Sequence, residues 1–179
     1  MERPLGAAPF ATQSTRQHAL TIVGGVLVCW LAYFGAVALV YDTLSVLALE
    51  AAIEPQRVGT AAAGIAVWGY FGLAFVRGYG GPVLNAIPYP LAILTLAPFP
   101  VRWLLFGPDI SGLISRFVGL IVIEPMIPVA HGALPGFGLF VLILTVWASV
   151  IGEDARENWE RTHLSPEFYD EFVDVDSRE

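Results

Sequence analysis

Three ionisable residues interrupt a long apolar stretch in the second half of the 179-residue chain, and they are the first candidates for chemistry. These residues are Arg116, Glu124 and His131. Ionisable groups at membrane depth are costly and often mark a functional path. Glu124 and His131, seven residues apart, would share one face of a continuous helix. We treat the three residues as a candidate intramembrane polar site, in which Glu124 and His131 form a proton- or ion-responsive pair and Arg116 neutralises Glu124.

A simpler interpretation of the same three residues is that they anchor a re-entrant segment at the membrane surface, and it is the one we favour. No familiar catalytic pattern accompanies them. The sequence lacks HExxH and paired CxxC metal motifs, a phosphate-binding glycine loop and a GxSxG elbow. We therefore predict no catalytic residue, no metal site and no cofactor. Whether the protein is an enzyme stays open, with the balance against it.

The composition makes lipid the expected solvent for most of the chain. Hydrophobic residues make up 56% of it and charged residues 14%, whereas about a quarter of the residues in an average globular domain are charged. The apolar residues form runs long enough to cross a hydrocarbon core of about 30 Å. We predict an all-α integral membrane protein, a small bundle of about four transmembrane helices with a proline-rich re-entrant or interfacial segment.

The first apolar run, residues 19–41, contains no charge and is long enough to span a membrane. A secretory signal ending near Ala36-Val37-Ala38 is the alternative, but the run is longer than a signal core and continues beyond that site. Three more spans are predicted near residues 58–76, 91–107 and 129–151. Residues 108–128 are expected to be re-entrant or interfacial, or alternatively to form a fifth span.

Small residues recur at three- and four-residue spacing in the second predicted span. In lipid, such a pattern lets a neighbouring helix backbone approach closely. We expect packing inside the bundle rather than self-association between two copies. The residues concerned are Gly59, Ala62, Ala63, Ala66 and Gly69.

The positions of the arginines favour four spans over five. With four spans, the N-terminal segment 1–18, the loop 77–85 and the tail 153–179 share one side of the membrane. A fifth span would move the tail across and remove most of the charge asymmetry. The positive-inside tendency then predicts a multi-pass protein of the cell membrane with both termini in the cytoplasm. The shared side would hold Arg3, Arg16, Arg77, Arg156 and Arg161, against Arg57 on the other.

The acidic tail accounts for the whole net charge of −7. Residues 153–179 contain ten acidic residues and three arginines, and the rest of the chain has six of each. No basic stripe is present, so nucleic acid is not an expected partner. All nine basic residues are arginine. An acidic exposed segment without lysine is typical of halophilic proteins, although a GC-rich genome also replaces lysine with arginine.

Two helices are predicted in this tail. Residues 153–164 can continue the last span, with Glu157 and Arg161 spaced for an ion pair. Ser165 and Pro166 then predict the start of a short helix. Its apolar side is expected to dock on a partner protein or on loops of the same chain, although a solvated, partly disordered tail fits the sequence equally well. That side comprises Phe168, Tyr169, Phe172 and Val173.

Three classes of function fit these features. The first is a non-enzymatic membrane component that associates with other membrane proteins, and we favour it for its small-residue faces and its tail. The second is a subunit of an oligomeric transporter or channel that uses the Arg116, Glu124 and His131 group. The third is a membrane enzyme acting on lipid, for which a few stray polar residues are the sole support.

Overall fold

The computed structural model describes residues 8–48, 53–107 and 129–173. Within these ranges the regular elements are all helices, and four helical stretches are long and apolar enough to cross a membrane. For the part of the chain that the structure describes, this confirms an all-helical fold with four candidate spans. The proline-rich segment 108–128 lies outside the described residues.

The helices follow one another along the chain with short connections. The first candidate span is α1 and the second is α2. Helices α4 and α5 together make the third span, and α6 makes most of the fourth. The helices are α1 (Thr15–Tyr41), a 3-10 turn (Ser45–Ala48), α2 (Ile53–Val76), α3 (Pro82–Ala86), α4 (Pro88–Leu96), α5 (Pro98–Phe106), a π-helical turn (Val129–Ala133), α6 (Leu134–Ile151), α7 (Glu153–His163) and α8 (Pro166–Phe172).

A capping box sets the start of α1 four residues before the charge-free run begins. The Ser14 side chain accepts the backbone N–H of Gln17, and the Gln17 side chain accepts the backbone N–H of Ser14. These bonds satisfy two backbone donors that a helix start otherwise leaves free. Polar residues of the first turns therefore belong to the helix and can be presented to its neighbours.

Helix α2 lies at the centre of the bundle. Half of the residues in the most apolar 18-residue stretch of α2 are buried, compared with 22% in the same stretch of α1 and 11% in that of the fourth span. Helix α1 packs on one side of α2 and α6 on another, while α4 contacts both α1 and α2. The central position of α2 explains its many small residues, because three neighbours must approach it closely.

Glycines bring α6 against α2. A Cβ atom on Gly64 would lie 2.1 Å from the carbonyl oxygen of Gly132, and one on Gly136 would lie 2.6 Å from that of Gly64. Both separations are too short for any other residue. The predicted small-residue pattern also packs within the chain at its two ends, where Gly59 meets the ring of Tyr33 and Gly69 meets Leu139.

Indole groups support the helix breaks before and within the third span. Proline lacks a backbone N–H, so a helix that meets one leaves carbonyl groups without donors. The Trp68 indole N–H donates to the carbonyl of Ala86 at the end of α3 (2.8 Å). The Trp30 indole N–H donates to Ala97, between α4 and α5 (2.6 Å). Each break therefore regains a hydrogen bond from a neighbouring helix, which matters most where water is scarce.

The bundle has two distinct ends. At the terminal end, the N-terminal segment 8–14, the turn 77–81 and α7 come together. At the loop end lies the connection 42–48, whose Leu47 carbonyl accepts a hydrogen bond from Arg102 of α5 (3.0 Å). Helix α6 begins beside residues 60–64 of α2 and runs parallel to it, so it starts in the half of the bundle nearer the loop end. The bond from Arg102 places α5 in the same half.

Candidate functional site

The structure places one of the three residues of the predicted intramembrane site. Arg116 and Glu124 lie outside the described residues. His131 lies in the π-helical turn before α6, and its side chain is exposed. Such turns occur often at functional sites. The proposed pairing of these residues remains a prediction.

A different set of polar side chains meets at the terminal end, from parts of the sequence far apart. Gln13 of the N-terminal segment, His18 and Thr21 of α1, Tyr70 of α2 and Tyr89 of α4 form one hydrogen-bonded network. The capping box at Ser14 positions it, because it places His18 and Thr21 three residues apart on one face of a formed helix.

The network fixes where the His18 ring carries its proton. The backbone N–H of Gly80 donates to Oε1 of Gln13 (2.9 Å), so this atom is an acceptor. Nδ1 of His18 lies 3.2 Å from the same oxygen and must therefore carry a hydrogen. In the neutral ring Nε2 is then an acceptor, and it receives the hydroxyl hydrogen of Tyr89 (2.5 Å).

The NH₂ group of the Gln13 side chain connects the N-terminal segment to α1, and Tyr70 connects α2 to the same turn of α1. Its Nε2 donates to Oγ1 of Thr21 (3.3 Å), whose own hydrogen goes to the carbonyl of Gln17 (2.9 Å). The Tyr70 hydroxyl donates to the backbone carbonyl of Thr21 (3.0 Å). The hydrogen-bonded path from Tyr89 through His18 ends at the amide oxygen of Gln13, which has no proton to pass on. The network therefore holds the N-terminal segment, α1 and α4 together and does not conduct protons.

The turn between α2 and α3 is fastened by a fully buried amide. Asn85 is 0% exposed, and its Oδ1 accepts the backbone N–H of Gly81 (3.2 Å). Its Nδ2 donates to the carbonyls of Tyr79 (2.7 Å) and Phe71 (3.3 Å). Gly80 has φ of 95° and lies against this amide, so the turn requires glycine there.

Helix α7 crosses the terminal end and covers it with an aromatic cluster. Trp159 stacks on Phe75, with ring centroids 5.2 Å apart, and meets Phe10 and Trp147 edge-on at 5.5 and 5.0 Å. Its indole N–H donates to the carbonyl of Val76, the last residue of α2 (3.0 Å). One side chain therefore joins the tail to the N-terminal segment, to α2 and to α6.

His163 completes this contact at the last turn of α7. Its ring stacks on Trp159 at 4.8 Å, and its backbone carbonyl accepts the N–H of Ala11 (2.8 Å). The ring lies over Gly78, where φ is 72° and an added Cβ would fall within 2.0 Å of it. The contact therefore depends on glycine in the turn.

The fold-back of α7 corrects one expectation. A helix forms over Glu153–His163, close to the predicted 153–164, but it does not continue the last span. Gly152 interrupts the chain with φ of 80° and ψ of 158°, a conformation essentially restricted to glycine. The chain turns there, and α7 packs back across the bundle.

Two local predictions for the tail are confirmed. Arg161 and Glu157 form an ion pair at 2.6 Å, and this hydrogen bond raises the pKa of Arg161. The Ser165 side chain accepts the N–H of Phe168 at the start of α8.

The predicted docking surface on α8 remains a prediction. Phe168 and Tyr169 are half-buried and Val173 is 36% exposed, while the side chain of Phe172 lies outside those described. The Arg161 guanidinium lies 5.8 Å from the centre of the Tyr169 ring, so α7 and α8 contact one another.

Sequence reasoning missed the network and the aromatic cluster for different reasons. His18 and Tyr89 are 71 residues apart, and nothing in the sequence pairs them. Trp159 does give a signal, since it is a large apolar residue in a segment of otherwise charged and polar residues. Within the described residues, no group of three or more His, Cys, Asp or Glu side chains is placed to hold a metal ion. No protein-family model, curated protein or solved structure matches the chain.

Proposed function

We propose that this protein is a multi-pass membrane component that works by associating with other membrane proteins, with both termini in the cytoplasm. The observation that carries the proposal is the terminal end itself. The N-terminal segment 8–14, one turn and α7 are joined there into a single folded unit, and most described side chains of α7 and α8 are exposed. A folded, outward surface on a membrane helix bundle suits binding to another protein.

The described arginines support the orientation. Arg16, Arg77, Arg156 and Arg161 belong to the terminal end, and Arg57 and Arg102 to the loop end. Cytoplasmic segments close to membrane spans carry an excess of arginine and lysine. By this tendency the terminal end faces the cytoplasm.

The charge of α7 and α8 favours a protein partner over a lipid one. The two helices carry seven carboxylate side chains and two arginines. Both arginines are engaged within α7, Arg156 with Glu160 at 3.5 Å and Arg161 with Glu157 at 2.6 Å. The surface is therefore acidic, and the negative potential of a cytoplasmic leaflet would repel it.

A transporter or channel subunit is the second candidate, and one observation favours it. Two of the four candidate spans are irregular: the third is divided at Ala97, and the fourth begins with the π-helical turn that contains His131. Transporters place their sites at discontinuous helices. On this alternative, Glu124→Gln would change the pH dependence of flux in reconstituted vesicles, and an unchanged dependence would remove it.

Cross-linking of the full chain in its native membrane, followed by purification in mild detergent, tests the main proposal. We expect a reproducible complex with a second membrane protein. Neutralising the exposed acids Glu153, Asp154, Glu167 and Glu171 as amides should abolish it. The matched control Glu54→Gln at the loop end should preserve it. A homo-oligomer, a monomer, or a complex that survives the four combined substitutions would contradict the proposal.

A further inference from the structure

The N-terminal segment is held in place largely by the other terminus. Phe10 is 1% exposed, and its ring meets Phe75, Trp159 and His163 at centroid distances of 5.4, 5.5 and 6.2 Å. Two of these three partners belong to α7. The adjacent Ala11 donates its backbone N–H to the carbonyl of His163 (2.8 Å).

The covalent connection between α6 and α7 does little to fix the position of α7. Gly152, between them, is exposed, and no atom lies within 4 Å of a Cβ built there. Its positive φ lies in a region of backbone conformation that glycine adopts at little cost. Side-chain contacts at Trp159 and His163 must therefore hold α7 across the bundle.

The N-terminal segment has a second attachment that does not involve α7. Gln13 bonds to Gly80, His18 and Thr21, which belong to the turn and to α1. The Phe10 ring and the Ala11 amide thus depend on α7. Gln13, and the backbone N–H of Phe10, which donates to the carbonyl of Gly80 (3.1 Å), depend instead on the polar network and the turn.

We propose that α7 is a strap that fastens the N-terminal segment, so that the two termini open and close together while the network at Gln13 stays closed. Releasing Trp159 removes the ring on which Phe10 packs and moves the carbonyl to which Ala11 is bonded. By reciprocity, releasing Phe10 must loosen α7 to the same degree in free energy. This device rests on contacts between the termini and is independent of the proposed function.

Hydrogen exchange of the full chain in lipid nanodiscs tests the strap. In Trp159→Ala, we expect the Ala11 amide to exchange at least tenfold faster, while the Gly80 amide, bonded to Gln13, keeps its protection. The same truncation at Trp30→Ala, on the far side of the bundle, serves as the matched control and should leave Ala11 unchanged. The reciprocal variant Phe10→Ala should speed exchange in α7.

A further variant, Gly78→Ala, releases the strap without removing an aromatic ring, and Gly107→Ala is its control. Gly78→Ala places a methyl group against the His163 ring, whereas Gly107→Ala introduces the same strain at φ of 80° with nothing within 4 Å. We expect faster exchange at Ala11 in the first variant and not in the second. Unchanged protection of Ala11 in both Trp159→Ala and Gly78→Ala would overturn the strap. Equal acceleration at Ala11 and Gly80 would overturn the claim that the network at Gln13 stays closed when the strap opens.

Discussion

At the terminal end, residues distant in sequence meet in buried and partly buried hydrogen bonds and stacked rings, whereas at the loop end the Glu54–Arg57 ion pair is largely exposed. Asn85 is fully buried in the first, and the Glu54 side chain of the second is 71% exposed. Buried polar groups cost free energy when unpaired, and exposed ones are satisfied by water. The two ends should therefore respond very differently to the loss of similar groups.

The contrast also separates two ways of joining helices in a small bundle. Glycines hold α6 against α2 by close approach, with no side-chain hydrogen bond needed at Gly64 or Gly136. At the terminal end and at the helix breaks, side-chain donors from Trp68, Trp30 and Trp159 reach carbonyls that the helices leave free. Close packing supplies contact area, and the indole bonds satisfy the irregular backbone.

The largest effect is expected for Asn85→Ala at the terminal end. The substitution leaves the Tyr79 carbonyl and the Gly81 N–H without their partner and removes one bond to the Phe71 carbonyl, and a buried unsatisfied group costs roughly 1–3 kcal/mol. We expect the free energy of unfolding, measured by steric trapping in bicelles, to fall by about 3 kcal/mol. Asn158→Ala, on the exposed face of α7, is the matched control and should change it little. Equal effects of the two would remove the special role of the turn.

A smaller effect is expected for Tyr89→Phe, which deletes one hydrogen bond of the network. The free energy of unfolding should fall by about 1 kcal/mol, and the exposed Tyr79→Phe serves as the control. The nitrogen chemical shifts of neutral His18 give a sharper test in the unmodified protein. They should report the hydrogen on Nδ1. A hydrogen on Nε2 would contradict the network.

The smallest effect is expected at the loop end, for Glu54→Gln. Its ion pair with Arg57 is 2.7 Å long, but the two side chains are 71% and 40% exposed. Exposed pairs of this kind contribute about 0.5 kcal/mol or less. The same unfolding measurement should therefore barely change, and the effect should vanish in high salt. A loss as large as that of Asn85→Ala would erase the contrast between the ends.

Much of the helical layout could be predicted from the sequence because lipid solvation imposes length and hydropathy on each span. Four apolar stretches were expected, and four candidate spans are present in the described residues. Local caps were also predictable, since Ser165 and Pro166 act within one helical turn. These features depend on neighbours in sequence.

The terminal end could not be predicted in the same way, because its contacts join residues distant in sequence. Gln13, His18 and Tyr89 have no pattern that links them. The direction of α7 depended on the backbone conformation of Gly152, and a glycine after an apolar run fits either a continued or a broken helix. The Arg116 and Glu124 part of the predicted polar site lies outside the described residues and stays a prediction.

Cysteine accessibility tests the central proposal, that the N-terminal segment and α7 meet at one end of the bundle and that this end faces the cytoplasm. Buried Cys29 is first replaced by alanine, and single cysteines are then introduced at the exposed positions Thr12, Ala48 and Thr162. A membrane-impermeant maleimide applied to intact cells should label position 48. Positions 12 and 162 should react only after the membrane is opened. Labelling of position 162 in intact cells, or of 12 and 162 from opposite sides, would contradict the account.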